Sequence, residues 1–249
     1  AQAVVGQNEA HRPFGGVVPE IAARAHVDIL PGLIRQVLAE ADVGIGEVDA
    51  IAATAGPGLI GGVMVGLLTG KGLALSARKP LIAVNHLEGH ALSPRLVDQE
   101  LGFPYLLLLA SGGHCQLLEV SGVGRYRRLA TTIDDAAGEA FDKVARLLGL
   151  GFPGGPVVDR LAREGDPAAI PFPRGKTKGE YDVSFSGLKT AVARWVEAQQ
   201  GEIPVADVCA SFQEAVVDVL TTKAVQACRD TGVEHLLIGG GVAANSRLR

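Results

Sequence analysis

Two histidines stand four residues apart in Val84-Asn85-His86-Leu87-Glu88-Gly89-His90, where a short apolar strand, Leu81 to Val84, runs into a helical turn. Residues four apart share one face of a helix. His86 and His90 would therefore present two imidazoles to one point, a donor pair suited to a borderline divalent metal such as zinc or iron(II). On the spacing alone, a pair of surface histidines is the favoured reading. The spacing argues against a metallopeptidase of the H-E-x-x-H type, whose glutamate directly follows the first histidine. Leu87 holds that place here, and Glu88 comes one residue late.

A second group of candidates is acidic. Ile133 to Lys143 is expected to open a helix that runs to Leu148 and stops at Gly149. Asp135, Glu139 and Asp142, at spacings of four and three, would then share one face. An acid in a first turn suits the helix dipole, which is the reading for Asp135. Glu139 and Asp142 lie deeper and could receive substrate hydroxyls or a metal. Asp159 is placed on the first turn of the next helix, after the Gly/Pro turn Gly151 to Pro156.

Glycine turns form the third group. Ser111-Gly112-Gly113-His114 joins two apolar strands, Tyr105 to Ala110 and Cys115 to Val120. Such a hairpin can aim backbone N–H groups at an anion or be an ordinary turn. Gly239 to Asn245 sets another cluster between strand and helix, where a nucleotide can lie against the backbone and Asn245 can hydrogen-bond it. Gly56, Gly58 and Gly61 match G-x-G-x-x-G after a strand. A dinucleotide site also wants an acid at the end of the following strand, and that strand ends at Val84-Asn85. The remaining reading is a turn built for close packing. The one compact basic loop, Arg174-Gly175-Lys176-Thr177-Lys178-Gly179, is either solvated or a contact for a phosphate backbone.

The elements that must position these groups read as α/β. An Ala3-Val4-Val5 strand end comes first. Helical periodicity follows from Ile21 to Leu38, and Pro31 predicts two helices or a kink there. Val48 to Ala53 is a buried strand followed by a small-residue helix to about Ala77. Arg125 to Thr132 is a strand, Ser184 to Gln199 a capped helix, Asp207 to Cys228 a long amphipathic helix and Glu234 to Ile238 a strand. A boundary near Pro104 divides residues 1–103 from 104–249.

The bulk properties set limits. With 249 residues and 47% hydrophobic content, the chain can bury a sizeable core. Its net charge of −4 argues against a globally basic nucleic-acid binder, though not against a local patch. Three cysteines without a CxxC read as reduced thiols of a cytoplasmic protein. Leu59 to Ala77 comes nearest to a membrane span, but five glycines and Lys71 break it, so no membrane partner is expected.

Taken together, N-H-L-E-G-H (85–90), S-G-G-H (111–114), I-D-D-A-A-G-E-A-F-D-K (133–143), F-P-G-G-P (152–156), F-S-G-L-K-T (185–190) and G-G-G-V-A-A-N (239–245) resemble the universal tRNA threonylcarbamoyladenosine-forming transferases, formerly described as O-sialoglycoprotein endopeptidases. The motifs come in the family's order over essentially the whole chain. The resemblance implies a two-lobed actin-like ATPase fold of the ribonuclease-H-like type. It implies transfer of threonylcarbamoyl from threonylcarbamoyl-AMP to N6 of the adenosine beside the anticodon, in tRNAs reading codons that start with A. It assigns iron or zinc to His86 and His90. It assigns substrate to Ala110, Ser111, Gly112, Gly113, His114, Asp142, Gly155, Asp159 and Asn245, with Glu139 a further candidate and ATP or ADP able to occupy the same site. It implies tRNA, a paralogous inactive protein and a small ATPase as partners, and leaves homodimer or heterodimer open. The family's first strand is expected before Ala1, and a third metal ligand, an aspartate, after Arg249. The rival readings are an ATPase or kinase-like member of the same fold and a non-catalytic scaffold in a tRNA-modification complex.

Overall fold

The computed structural model describes residues 1–249. The chain divides into two compact units, Ala1–Gly89 and His90–Arg249. The division comes earlier than the expected boundary near residue 103 and falls inside one short helix.

In the first unit, residues 1–7 form no strand, contrary to expectation. The helices α1 (Asn8–His11) and α2 (Pro19–Ala41) come first. Helix α2 is continuous through Pro31, so of the two expected outcomes the division into two helices does not occur. Proline removes one hydrogen bond to the carbonyl four residues back. That residue, Val27, is 56% exposed, so water can satisfy its carbonyl. Leu30, Leu33 and Ile34 on either side of Pro31 line one apolar cavity with Ile51 and Leu73, which holds both halves in a single helix.

Strand β1 (Ile51–Gly56) pairs in parallel with β2 (Leu81–Asn85), and α3 (Ile60–Ala77) is the crossover between them. By length and composition alone α3 could cross a membrane. Its glycines instead suit close packing: a Cβ on Gly70 would lie 2.8 Å from Ala53 Cβ, and one on Gly61 2.8 Å from Ala23 Cβ. Of the G-x-G-x-x-G stretch, Gly61 is thus the residue that lets α3 approach α2, while Gly58 meets Val63 of α3 itself. After β2, α4 (His86–Leu92) begins directly, and Pro94 opens α5 (Pro94–Val97).

The second unit is built on a four-stranded sheet in the order β5-β4-β3-β6. Strand β3 (Tyr105–Ala110) is antiparallel to β4 (Cys115–Gly122), β4 is antiparallel to β5 (Arg125–Thr131), and β3 is parallel to β6 (Leu236–Gly239). All six residues of β3 are buried, as a continuous apolar run in a central strand predicts. Helices α6 (Ala137–Leu147), α7 (Gly154–Ala162), α8 (Ser186–Glu197) and α9 (Val205–Thr231) complete the unit. Ala137, Ala140, Phe141, Val144 and Ala145 form the buried face of α6. Phe141 meets Phe212 of α9 edge to face, with centroids 5.1 Å apart. The same core takes in Leu106, Leu108, Val158, Leu188, Val216 and Leu220.

Candidate substrate pocket

The ends of the central strands carry the two glycine turns into one cavity of the second unit. Its volume is about 570 Å³, and its walls include Gly112, Asp142, Gly155, Asp159 and Asn245. Five of the nine expected substrate positions therefore meet, although they come from four separate stretches of sequence, Gly155 and Asp159 sharing α7. Gly138, Phe141, Arg160 and Arg163 join them. A larger apolar cavity, about 830 Å³ in the first unit, contains none of the candidate substrate residues.

The Ser111–His114 turn is internally braced. Ser111 Oγ accepts the backbone N–H groups of His114, at 3.0 Å, and of Gly113, at 3.4 Å. Those two donors are engaged within the turn, which leaves Gly112 as its wall residue. The Gly138 N–H at the start of α6 donates to Ser111 O at 3.0 Å, fastening the turn to that helix. Ala110 is buried in β3, and Ser111, Gly113 and His114 lie outside the wall.

Helix α6 begins at Ala137, later than expected. Asp135 is therefore not on the helix face with Glu139 and Asp142. Asp134 shows why the preceding segment is not helical: its Oδ1 accepts the Phe185 and Ser186 N–H groups, at 2.8 and 3.3 Å, at the start of α8. Asp135 takes Lys143 Nζ at 2.7 Å and Lys189 Nζ at 3.0 Å. Burial opposes its charge, but the two lysine hydrogen bonds outweigh that and hold its pKa below the usual value. Glu139 is then the first-turn acid; it pairs with Lys143 at 2.8 Å and stands outside the cavity wall.

Asp142 does reach the wall. Its Oδ1 accepts the Gly154 N–H at 2.8 Å, at the start of α7. Burial pushes its pKa up, against the opposing effect of the Gly154 and Gly155 amides. Asp142 thus shapes the Gly154-Gly155-Pro156 turn. Asp159 is the sixth residue of α7, not a first-turn residue. It is 9% exposed, and both its oxygens are engaged: Oδ2 with Arg163 at 3.0 Å, Oδ1 with the backbone N–H and hydroxyl of Ser246 at 3.0 and 2.7 Å.

Asn245 ends a short 3₁₀ turn, Gly241–Ala244. Its Oδ1 accepts the N–H groups of Arg247 and Leu248, and its Nδ2 donates to Gln213 Oε1 at 2.7 Å. Sequence reasoning missed Arg163, Ser246 and Gln213. Arg163 stands four residues after Asp159 on α7, so helix spacing could have found it. The partnership of Gln213 with Asn245 bridges 32 positions and leaves no local signal.

His86 and His90 both lie on α4 at the expected spacing. No third His, Cys, Asp or Glu joins them in a metal-binding cluster. In donor chemistry, two imidazoles on one helix fit a borderline divalent cation and supply half of a tetrahedral shell. Elsewhere, burial raises the Cys115 thiol to about 12 and the Cys209 thiol to about 11, so neither resembles an activated nucleophile.

These features define an α/β protein of the two-lobed actin-like, ribonuclease-H-like class. Among solved structures the fold is similar to that of HypF from T. kodakarensis, with a TM-score of 0.63 over 89% of this chain and 38% of that one, at 16% identity. The chain belongs to the tRNA N6-adenosine threonylcarbamoyltransferase family, whose model matches residues 1–249. Proteins of that name from Novosphingobium aromaticivorans and Sphingopyxis alaskensis are 62% and 65% identical to it. Each match covers 100% of this chain, with 71% and 72% of the respective relatives. The Zymomonas mobilis relative is 60% identical over 98% of this chain and 68% of its own length.

Proposed function

We propose that the protein transfers threonylcarbamoyl from threonylcarbamoyl-AMP to N6 of the adenosine beside the anticodon, in tRNAs that read codons starting with A. The observation that carries this reading is the meeting of Gly112, Asp142, Gly155, Asp159 and Asn245 around one cavity in a chain matched to the family along its whole length. The adenylate is held there against the glycine turns, and ATP or ADP fits the same place.

The donor is a carbamoyl carbon bonded to a phosphate oxygen. The adenine amine attacks that carbon, the new N–C bond forms, the C–O bond to phosphate breaks, and AMP leaves with its negative charge while the amine loses a proton. No protein nucleophile is required. The chain's residues act by orientation: Asp142 shapes the Gly154-Gly155 turn, and Asp159 and Gln213 fix the segment that carries Asn245. His86 and His90 would hold one iron(II) or zinc ion, which when bound supplies Lewis acidity and charge neutralisation.

The partners of this reading are tRNA, a paralogous inactive protein and a small ATPase, and its setting is the cytoplasm. The test supplies the full chain with threonylcarbamoyl-AMP, unmodified tRNA and those partners, and follows label into tRNA for wild type and His86→Ala. Transfer that collapses in the variant, together with loss of bound metal, supports both reaction and metal site. Equal transfer keeps the reaction and removes the metal from it. No transfer by either protein, with active partners, moves the assignment to an ATPase or a scaffold.

A further inference from the structure

Asn245 lies on the cavity wall with its amide plane fixed. Two backbone N–H groups, those of Arg247 at 3.0 Å and Leu248 at 3.1 Å, donate to its Oδ1. Its Nδ2 must therefore face the opposite way, where it donates to Gln213 Oε1 at 2.7 Å. Both side chains are buried, Gln213 to 5% exposure and Asn245 to 8%. Gln213 sits in α9 beside the core residues Phe212, Ala215 and Val216. An amide so placed costs free energy unless it is bonded, so the pair holds Gln213 and Asn245 in one mutual orientation. The next residue, Glu214, takes Arg247 through two hydrogen bonds at 2.6 and 2.8 Å, so α9 holds this segment at two points. Of the two, only the Gln213 bond reaches a residue of the cavity wall.

A primary amide nitrogen carries two hydrogens, and Gln213 takes one of them. We infer that Gln213 is a positioning residue for ligand binding: by fixing Nδ2 of Asn245 it presents the second N–H to an acceptor oxygen or nitrogen of the bound nucleotide. This rests on the reading of the cavity as the adenylate site. Gln213 itself touches no substrate. Its contribution is to remove the rotational freedom that Asn245 would otherwise lose on binding, which is preorganisation.

The test uses the full chain with its partners, saturating tRNA and varied threonylcarbamoyl-AMP, with ADP affinity measured by calorimetry and thermal unfolding alongside. Gln213→Leu removes the acceptor at similar volume. It should raise KM for the adenylate and Kd for ADP about tenfold, the scale of one hydrogen bond, while kcat stays within about twofold. Gln213→Glu keeps an acceptor oxygen and should restore both constants towards wild type. In an Asn245→Ala background, Gln213→Leu should add no further loss, because the two act as one unit. If Gln213→Leu does not fold, Gln213→Met is read in the same way. A lower melting temperature with unchanged KM and Kd, in a protein where Asn245→Ala does weaken binding, would reduce Gln213 to a core amide and overturn the inference. Unchanged KM and Kd in Asn245→Ala itself would overturn the adenylate reading of the cavity, and the inference with it.

Discussion

Ser246 gives both its backbone N–H and its hydroxyl to a single oxygen of Asp159, at 3.0 and 2.7 Å. The partners lie 87 positions apart, so this contact staples the segment after β6 to α7. Asp159 is thus first an anchor of the cavity wall. Asp159→Ala should cost about 1–3 kcal/mol, the penalty for stranding buried donors, and should weaken ADP binding. Arg163→Ala, which loses a 64% exposed partner of the same carboxylate, should cost less on both counts. Urea unfolding and ADP calorimetry on the two variants give the comparison. Equal stabilities would remove the anchoring role.

Two glycines on the cavity wall should respond in opposite ways to alanine. A Cβ on Gly138 would fall 2.7 Å from Ser111 O and 2.8 Å from Gly112 Cα, which are backbone atoms of the glycine turn. Gly138→Ala should therefore destabilise by about 1–3 kcal/mol, as overpacking does, and shift Gly112. A Cβ on Gly155 meets nothing within 4 Å, because the space beside it is the cavity. Gly155→Ala should leave the melting temperature unchanged or slightly raised, since alanine is the better helix former, while KM for the adenylate rises. Melting curves beside steady-state kinetics would show whether the two effects separate.

The neighbouring acids Asp135 and Asp142 should push stability in opposite directions with pH. Asp135 is shifted down, so its stabilisation is present above the unfolded carboxylate pKa and disappears as pH falls through its lower folded value. Asp142 is shifted up by burial, so its favourable contribution is complete below the unfolded pKa and disappears as pH rises through the folded value. Asp135→Asn should lose stability at pH 7 and show a shallower acid transition. Asp142→Asn keeps the acceptor for Gly154 and should match or exceed wild type at pH 7, with its relative advantage gone near pH 4. Denaturation midpoints between pH 3 and 7 would read both curves. A parallel response of the two variants would refute the assignment.

The basic loop divides into engaged and exposed side chains. Arg174 is folded back, with Nε 3.0 Å from Asp218 Oδ2 and Nη1 2.8 Å from the Phe172 carbonyl. Thr177 is pinned by its hydroxyl to the carbonyls of Gly179 and Asp182, at 3.1 and 2.8 Å, while Lys176 and Lys178 on either side are exposed. Lys176→Glu with Lys178→Glu should weaken tRNA binding and reduce the salt slope by about one per lysine. Arg174→Ala should instead lower stability. Filter binding at several salt concentrations decides this, and an unchanged slope would take the loop out of the RNA interface.

The sequence was most legible where one local rule acted alone. Strand β3 was expected at Tyr105 to Ala110 and lies there, because six consecutive buried residues leave no other periodicity to compete. It was least legible where a distant partner decided the local conformation. Residues 133–136 carry helix-forming and first-turn acid signals, yet Asp134 turns to cap α8 and delays the start of α6. Pro31 reads as a breaker, and the apolar packing on both sides of it overrules that reading. For the cavity, the glycine turns and acids were visible as residue types, whereas Gln213 and Ser246 appear only once α7, α9 and the segment after β6 are brought together.

Helix α9 carries Gln213 on the same stretch as Phe212, Val216 and Leu220, which are fully buried in the core. No hinge separates the part that holds Asn245 from the part that holds the unit together. On this side Gln213 therefore cannot move away from Asn245 without disturbing the core. The side-chain amide protons of Asn245, whose acceptor is Gln213 Oε1, should thus exchange more slowly than those of an exposed asparagine, and ligand would slow that exchange further.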